Sequence, residues 1–429
     1  MTELAKIETM QLPNDQNSSG RTFGEEELNA VREVLEAGTL ITTKGEFGKK
    51  FEKEFAEKMG VKHAFLCNSG SAAVHTAVAA IDPAPGDEII TTSITDMGAL
   101  TPIVYQTAIP VFADVCPKTL NVTAETIEAA LSDKTKAIIV THLFGNPCRM
   151  PEIMELADAK EIPVIEDTAQ AFLATVNGRK VGTIGQIGAF SFQQGKQMTC
   201  GEGGIVITDD DDLARRMYLF INKAWGYGDE KPDHYFVAPN YRMTELQAAV
   251  AYEQFKKLDD SVARRQKMAR LLDEKIADIK GIESYKPAAD STMTYWKFCL
   301  RVDDSVIRDG AVGLAKSLRD YDVFSAPRYV QKPAFRCQVF REQKTFGDSN
   351  FPFNLARPEA IDYSEEKFPG TFKGLHDVLV LPINEKYTEE HIEFVANSIR
   401  EAVRATSIEG AEASENKCVV CGGNHCYKG

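Results

Sequence analysis

Residues 136–167 read KAIIVTHLFGNPCRMPEIMELADAKEIPVIED, and the distribution of apolar residues along them decides the architecture. KAIIVTH and IPVIED are short, almost unbroken apolar runs, the pattern of strands covered on both faces, and the helical stretch MPEIMELADAK lies between them. A strand, a helix and a second buried strand in that order imply parallel neighbours joined by a crossover. Working outward, the same rhythm continues upstream through HAFLC, SAAVHTAVAAI, DEIITTS, IPVFADV and AETIEAAL, and downstream through GAFSF and GGIVIT. The predicted fold is α/β, a mostly parallel central sheet sandwiched by helices, followed by a smaller C-terminal α+β domain.

Length supports a division of this kind, because 429 residues exceed one compact core. Leu28, Val31, Val34 and Leu35 recur at helical spacing after a Glu-rich first turn, predicting a core-packing helix over about residues 25–37. Phe47, Phe51, Phe55 and Met59 advance by four and predict a second helix ending near Gly60. Beyond ELQAAVAYEQFKKLDDSVARRQKMARLLDEKIADI, read as one long helix, the rhythm changes: YWKFCLRV reads as a strand, GAVGLAKSLRDY as a helix and EEHIEFVANSIREAV as a closing amphipathic helix. The expected domains are therefore 1–254, a large domain with its N-terminal helical segment, 255–405, a smaller C-terminal domain, and 406–429, a flexible Cys-containing tail.

A net charge of -14 argues against a general nucleic-acid or anionic-membrane surface. No stretch approaches the ~20 apolar residues of a membrane span, and the first residues lack a basic segment followed by an apolar run, so a cytoplasmic location is expected. Cys67, Cys116, Cys148, Cys200, Cys299 and Cys337 are scattered like reduced cytosolic thiols. Cys418, Cys421, His425 and Cys426 crowd the tail with zinc-like chemistry, but on a shorter spacing than zinc modules usually need, and no metal site is assigned.

The chemistry centres on GAFSFQQGKQMTCGEGG (188–204), which places Lys196 between two apparent core strands and ahead of a glycine-rich turn. A lysine that forms a Schiff base must lose its proton, which burial favours. Pyridoxal phosphate supplies an electron sink, while the protein supplies an acidic partner for the ring nitrogen and a cradle for the phosphate. IPVIEDTAQAF ends a buried strand so that Asp167 emerges where open α/β sheets bind ligands, with Gln170 three residues on. CNSGSAAVHTAVAAI reads as strand end, small-residue turn and helix start, so the backbone N–H groups near Gly70, Ser71 and Ala72 face an anion. Ser191 adds a hydroxyl. The simpler readings are a solvent-facing lysine and a helix-capping aspartate; the three features together favour the cofactor.

On SGSAAVHTAVAAI, PGDEIITTS, IPVFADV, THLFGNP, VIEDTAQAF, GAFSFQQGKQMTCGEGG and NYRMTELQAA, the chain resembles the DegT/StrS-type sugar aminotransferases, a branch of the fold-type I pyridoxal-phosphate enzymes, over about residues 20–405. The resemblance implies that Lys196 carries the cofactor and shuttles a proton, that Asp167 pairs with the pyridine nitrogen, and that Gln170 lies near the ring hydroxyl. It implies phosphate contacts from Gly70, Ser71 and Ser191, with Asn240 reaching in from a partner subunit, hence a homodimer with shared sites. The implied reaction takes an amino group from glutamate or glutamine to a keto-sugar, nucleotide-linked, or to a keto-cyclitol. Dehydratases of the family carry histidine where Lys196 stands, so lysine favours transamination over elimination; a non-catalytic regulatory paralogue is the other rival.

Two departures stand out. Where many relatives place an aromatic residue after PGDEIITTSIT, this chain has Asp96 and Met97; where many have a Pro–Leu–His stretch, it has SAPRYVQKPAFRCQVFREQKTF. Arg328, Lys332, Arg336 and Arg341 of that loop are a candidate wall for an anionic or hydroxyl-rich substrate. His75 and His142 read as structural.

Overall fold

Seven strands form the central sheet of the computed structural model, which describes residues 9–411. They are β1 (His63–Cys67), β2 (Glu88–Thr92), β3 (Ile109–Ala113), β4 (Thr135–Thr141), β5 (Val164–Asp167), β6 (Ile187–Ser191) and β7 (Gly204–Thr208), in the order β1-β7-β6-β5-β4-β2-β3. From β3 to β6 all neighbours are parallel, and β7 alone runs antiparallel to both of its partners. The unbroken apolar runs have the expected cause. In β4, Ala137 and Ile139 enter one core with Val78 and Met217, while Ile138 and Val140 enter another with Met150 and Ile153. Side chains alternate faces along a strand, so a strand covered twice must be apolar at every position.

Helices α1 (Glu25–Ala37), α2 (Phe47–Met59), α3 (Gly70–Ile81), α4 (Met150–Ala159) and α5 (Asp211–Ile221) cover the sheet, α3 and α5 on the same face. Phe51 and Phe55 of α2 pack into a core with Phe190 and Phe192, and the Phe51 ring lies 5.4 Å from Phe192 and 5.3 Å from Phe255. The first helix differs from its expected packing. It buries Glu27, Ala30 and Val34, whereas Leu28 and Leu35 are each 59% exposed. Glu27 is buried because Lys257 Nζ, Gln254 Nε2 and the Gly24 N–H all donate to it, which offsets the desolvation of its charge.

The long helix expected over residues 245–279 is two, α6 (Glu245–Lys256) and α7 (Leu258–Ile276), parted at Lys257. Lys257 turns its ammonium to Glu27 and to the Thr22 carbonyl. From Met268 onward the chain enters a second core. This core surrounds an antiparallel sheet of β8 (Ile282–Ser284), β9 (Lys297–Val302), β10 (Ala326–Pro327) and β11 (Val378–Pro382), in the order β8-β9-β11-β10. The closing helix, α8 (Glu389–Thr406), packs against α7 in this core, and the chain stays fastened past that helix where the Ile408 N–H donates to the Val306 carbonyl at 2.8 Å. The cysteine and histidine cluster of the tail lies outside the described residues.

The loop after β10 folds back over the core that holds Ile138 and Val140. Phe335 and Phe340 meet Phe112 of β3 edge-on at 5.7 and 5.3 Å. That core is therefore built from both halves of the chain. Since Phe51 is wholly buried among four aromatic rings, Phe51→Ala is expected to cost about 3–5 kcal/mol of stability. Urea unfolding measures it, and a loss below about 1 kcal/mol would contradict the packing described.

Candidate active site

Strand register brings the site together. Cys67 pairs with Gly204, and Gly204 with Ser191, so the ends of β1 and β6 and the start of β7 share one rung. Two residues back, Ala189 pairs with Asp167, and Asp167 with Thr141. The turn into α3, Ser191, the loop carrying Lys196 and Asp167 therefore meet at the carboxyl end of the parallel strands. There they line a cavity of about 430 Å³ together with Gln170, Thr95, Asp96, Glu202, Trp296 and Tyr329.

Two glycines are required by close approach. A Cβ on Gly70 would lie 2.5 Å from the Ser191 Cβ, and one on Gly204 would lie 2.5 Å from the Ser69 carbonyl oxygen. Ser69 caps α3 by accepting from the Ala72 N–H at 3.0 Å. Ala72 is thus satisfied within the turn and stays behind the cavity wall, and Gly70 and Ser71 form the end of the helix that faces it. Helix N-termini attract anions through their free N–H groups and dipole.

Lys196 opens onto the cavity with protein packed around it, its Nζ 4.4 Å from the centre of the Trp296 ring. Burial lowers its ammonium to about 8, against the opposing pull of Asp167 and Asp96. Asp167 is buried, which pushes its carboxyl above the usual range; the Ala169 N–H, donating at 3.1 Å, and the charge of Lys196 work in the other direction. Gln170 is held by the Phe144 N–H, which donates to its Oε1 at 2.8 Å, and it also bonds Tyr329.

Both histidines have partners within the fold. His142 Nδ1 accepts from the Cys148 N–H at 3.0 Å, so its Nε2 donates to Glu166 at 2.9 Å; Glu166 in turn accepts the N–H groups of Gly182, Ile184 and Gly185. His75 lies between Tyr241 and Gln106, and burial takes its pKa down to about 4.

Asn240 is exposed and outside the cavity of its own chain. The cationic loop does not form a wall of this cavity. Arg336 pairs with Glu365 at 3.0 Å and Arg341 with Glu342 at 2.9 Å, while Arg328 and Lys332 are exposed. The reason is hydrophobic: burying Phe335 and Phe340 against Phe112 draws the loop onto β3. Only Tyr329 of that loop reaches the cavity, from a left-handed backbone with φ 43°. Asp96 lies on the wall and caps the short turn Met97–Ala99, accepting from the Gly98 N–H at 2.7 Å.

Sequence reading missed Trp296 and Tyr329. Trp296 is carried to the site where its backbone N–H donates to the Phe144 carbonyl at 2.9 Å, beyond a turn at Gly145 with φ 87°, where a Cβ would lie 2.8 Å from the Tyr295 nitrogen. The available signal was that Trp296 is one of two tryptophans in the chain.

The model of the DegT/DnrJ/EryC1/StrS aminotransferase family matches residues 21–400. The chain belongs to this family. It is 37% identical over 292 residues to the GDP-perosamine synthase of Caulobacter vibrioides, covering 67% of this chain and 77% of that one. It is 32% identical over 392 residues to the spore coat polysaccharide biosynthesis protein SpsC of Bacillus subtilis, covering 89% and 95%. An aminotransferase structure from Psychrobacter cryohalolentis superposes with a TM-score of 0.78 at 33% identity, covering 89% of this chain and 97% of that one. Membership makes this protein a pyridoxal-phosphate-dependent aminotransferase. The residues present fit the cofactor: a helix N-terminus brought against Ser191 by the missing Gly70 side chain, a buried carboxylate, and a lysine of lowered pKa in one cavity.

Two expectations follow for the family site. With an ammonium pKa of about 8, about one Lys196 in ten is a free amine at pH 7, against fewer than about one in a thousand for a solvent lysine. Acetylation of cofactor-free protein, mapped by mass spectrometry, should therefore show reactivity of Lys196 rising with pH to a midpoint near 8; a midpoint above about 10 would contradict the burial. Gly70→Ala should weaken pyridoxal phosphate binding by about tenfold and leave pyridoxal, which lacks the phosphate, unaffected. Equal losses for both ligands would place the phosphate elsewhere.

Proposed function

We propose that the enzyme takes an amino group from glutamate or glutamine and delivers it to a keto-sugar, nucleotide-linked, or to a keto-cyclitol, acting as a cytoplasmic homodimer with shared sites. The observation that carries the reading is the meeting of Lys196, Asp167 and the N-terminus of α3 in one cavity. When bound, pyridoxal phosphate supplies an aldehyde to take up an amine and a conjugated ring to delocalise the electrons of a broken C–H bond.

The chain does the rest. Lys196 Nζ holds the cofactor, then as a free amine takes the proton from the carbon of the donor and returns one to the acceptor. The Asp167 carboxylate keeps a positive charge on the ring nitrogen, while Gly70, Ser71 and Ser191 hold the phosphate. Gln170 orients the ring from the side where Tyr329 bonds it. Trp296 and Tyr329 shield Lys196 from water.

The relatives support a sugar acceptor through the names they carry, GDP-perosamine synthase among them. The exposed Asn240 supports a shared site, since it lies at the surface outside the cavity of its own chain. Leu28, Leu35, Leu40 and Ile41, exposed within one stretch, support self-association. No helix among the described residues is long and apolar enough to cross a membrane. A division near residue 255 into a cofactor-binding part and a smaller part is supported by the second core, which begins at Met268.

Lys196→Ala should abolish turnover and the absorbance of the lysine-bound cofactor; sustained multiple turnover by this variant would sink the assignment. Incubation with glutamate should release 2-oxoglutarate, which an eliminase does not produce. Screening keto-sugars and keto-cyclitols against the amine-loaded enzyme, by return of the aldehyde colour, identifies the acceptor.

A further inference from the structure

Three successive carbonyls of the lysine loop are each held by a donor from outside the loop. Arg21 donates through Nη1 to the Lys196 carbonyl at 2.9 Å and through Nη2 to that of Gln194, and Trp296 Nε1 donates to that of Gly195 at 2.6 Å. Arg21 lies 175 residues from Lys196 in sequence and its side chain is 1% exposed. A guanidinium so deeply placed is costly, and burial lowers its pKa despite Asp15 and Glu385.

The anchor is a buried ion network that joins separate parts of the fold. Arg21 faces Asp15 at 3.6 Å and Glu385 at 3.9 Å; Arg265, fully buried, meets the same Glu385 at 2.7 Å; and Lys297 meets Asp15 at 3.0 Å. The Asp15 carbonyl accepts from Arg21 Nε and from Gln194 Nε2, each at 2.8 Å. Lys297, next to Trp296, lies 5.1 Å from the ring that Lys196 approaches at 4.4 Å. The N-terminal segment, α7 and the second core thus converge behind the loop that carries Lys196.

We propose that Arg21 is a positioning residue for Lys196: its buried fork, braced by Asp15 and Glu385, pins the carbonyls of Gln194 and Lys196 and so fixes where the lysine amine enters the cavity. The proposal rests on the reading of Lys196 as the cofactor-bearing lysine. Hydrophobic packing alone does not require it, because an apolar group of similar volume would fill the space without gripping two carbonyls at once. Lysine in its place keeps the charge but lacks the planar two-donor geometry.

The test separates covalent attachment from binding. Full-length protein stripped of cofactor is mixed with pyridoxal phosphate, and attachment at Lys196 is followed by absorbance and confirmed by borohydride reduction and peptide mapping. Affinity for pyridoxamine phosphate, which has no aldehyde and cannot attach, is measured in parallel. Arg21→Lys should slow attachment by about tenfold or more while pyridoxamine phosphate binds within about twofold of the parent protein. Unchanged attachment would overturn the proposal, and so would an equal loss in both measurements, which would make Arg21 a general support of the cavity. If Arg21→Lys does not fold, Asp15→Asn, which loosens the brace and keeps the guanidinium, is read by the same two criteria. Failure of the parent protein to attach at Lys196 would instead remove the assignment of that lysine.

Discussion

An amine that must act as a nucleophile cannot also be a well-solvated ammonium, and the site depends on resolving that conflict. Removing water from around Lys196 favours the neutral amine, while Asp167 and Asp96 pull toward the charged form. Desolvation wins in this cavity, by enough to bring the pKa to about 8. Too much negative charge would leave a spectator ion pair; too little would, in the proposed arrangement, leave the cofactor's ring nitrogen without a partner. Burial of Asp167 and its bond from Ala169 hold that carboxylate between the two extremes.

The sheet supplies the distances. A parallel strand delivers its last residue to the same edge as its neighbours, so Thr141, Asp167 and Ser191 arrive together although they are far apart in sequence. Because the antiparallel β7 starts where β6 ends, the lysine loop begins and ends at that edge, and Gly204 and Gly70 allow close approach where any side chain would collide. Behind the loop lies a different kind of support, a cluster of three cations and two carboxylates in which all but Lys297 are nearly shut off from water. Buried ion clusters contribute little net stability for their size, and the role proposed for this one is to fix geometry.

The loop after β10 shows how packing overrides charge. Its arginines suggest an anion-binding wall, yet its phenylalanines bury against β3, and two of those arginines pair with neighbouring glutamates. The loop sends Tyr329 into the cavity instead, on a strained left-handed backbone. Likewise α1 buries a bonded glutamate where its leucines suggested the core. In both places a specific partner far away in sequence decided the orientation, and periodicity carries no information about such partners.

Local order of the chain determined the α/β alternation, because a strand covered on both faces must be apolar throughout, and that pattern is visible in KAIIVTH and IPVIED without coordinates. It also marked Lys196, Asp167 and the small-residue turn before α3, since each ends or follows a strand and therefore emerges at the sheet's edge. Tertiary structure alone decided that Trp296 and Tyr329 complete the cavity, that Arg21 grips the lysine loop, and that the cationic loop packs elsewhere. Those contacts join residues separated by a hundred positions or more in sequence. Their free energy comes from burial and hydrogen bonding that exist only once the two halves of the chain have met.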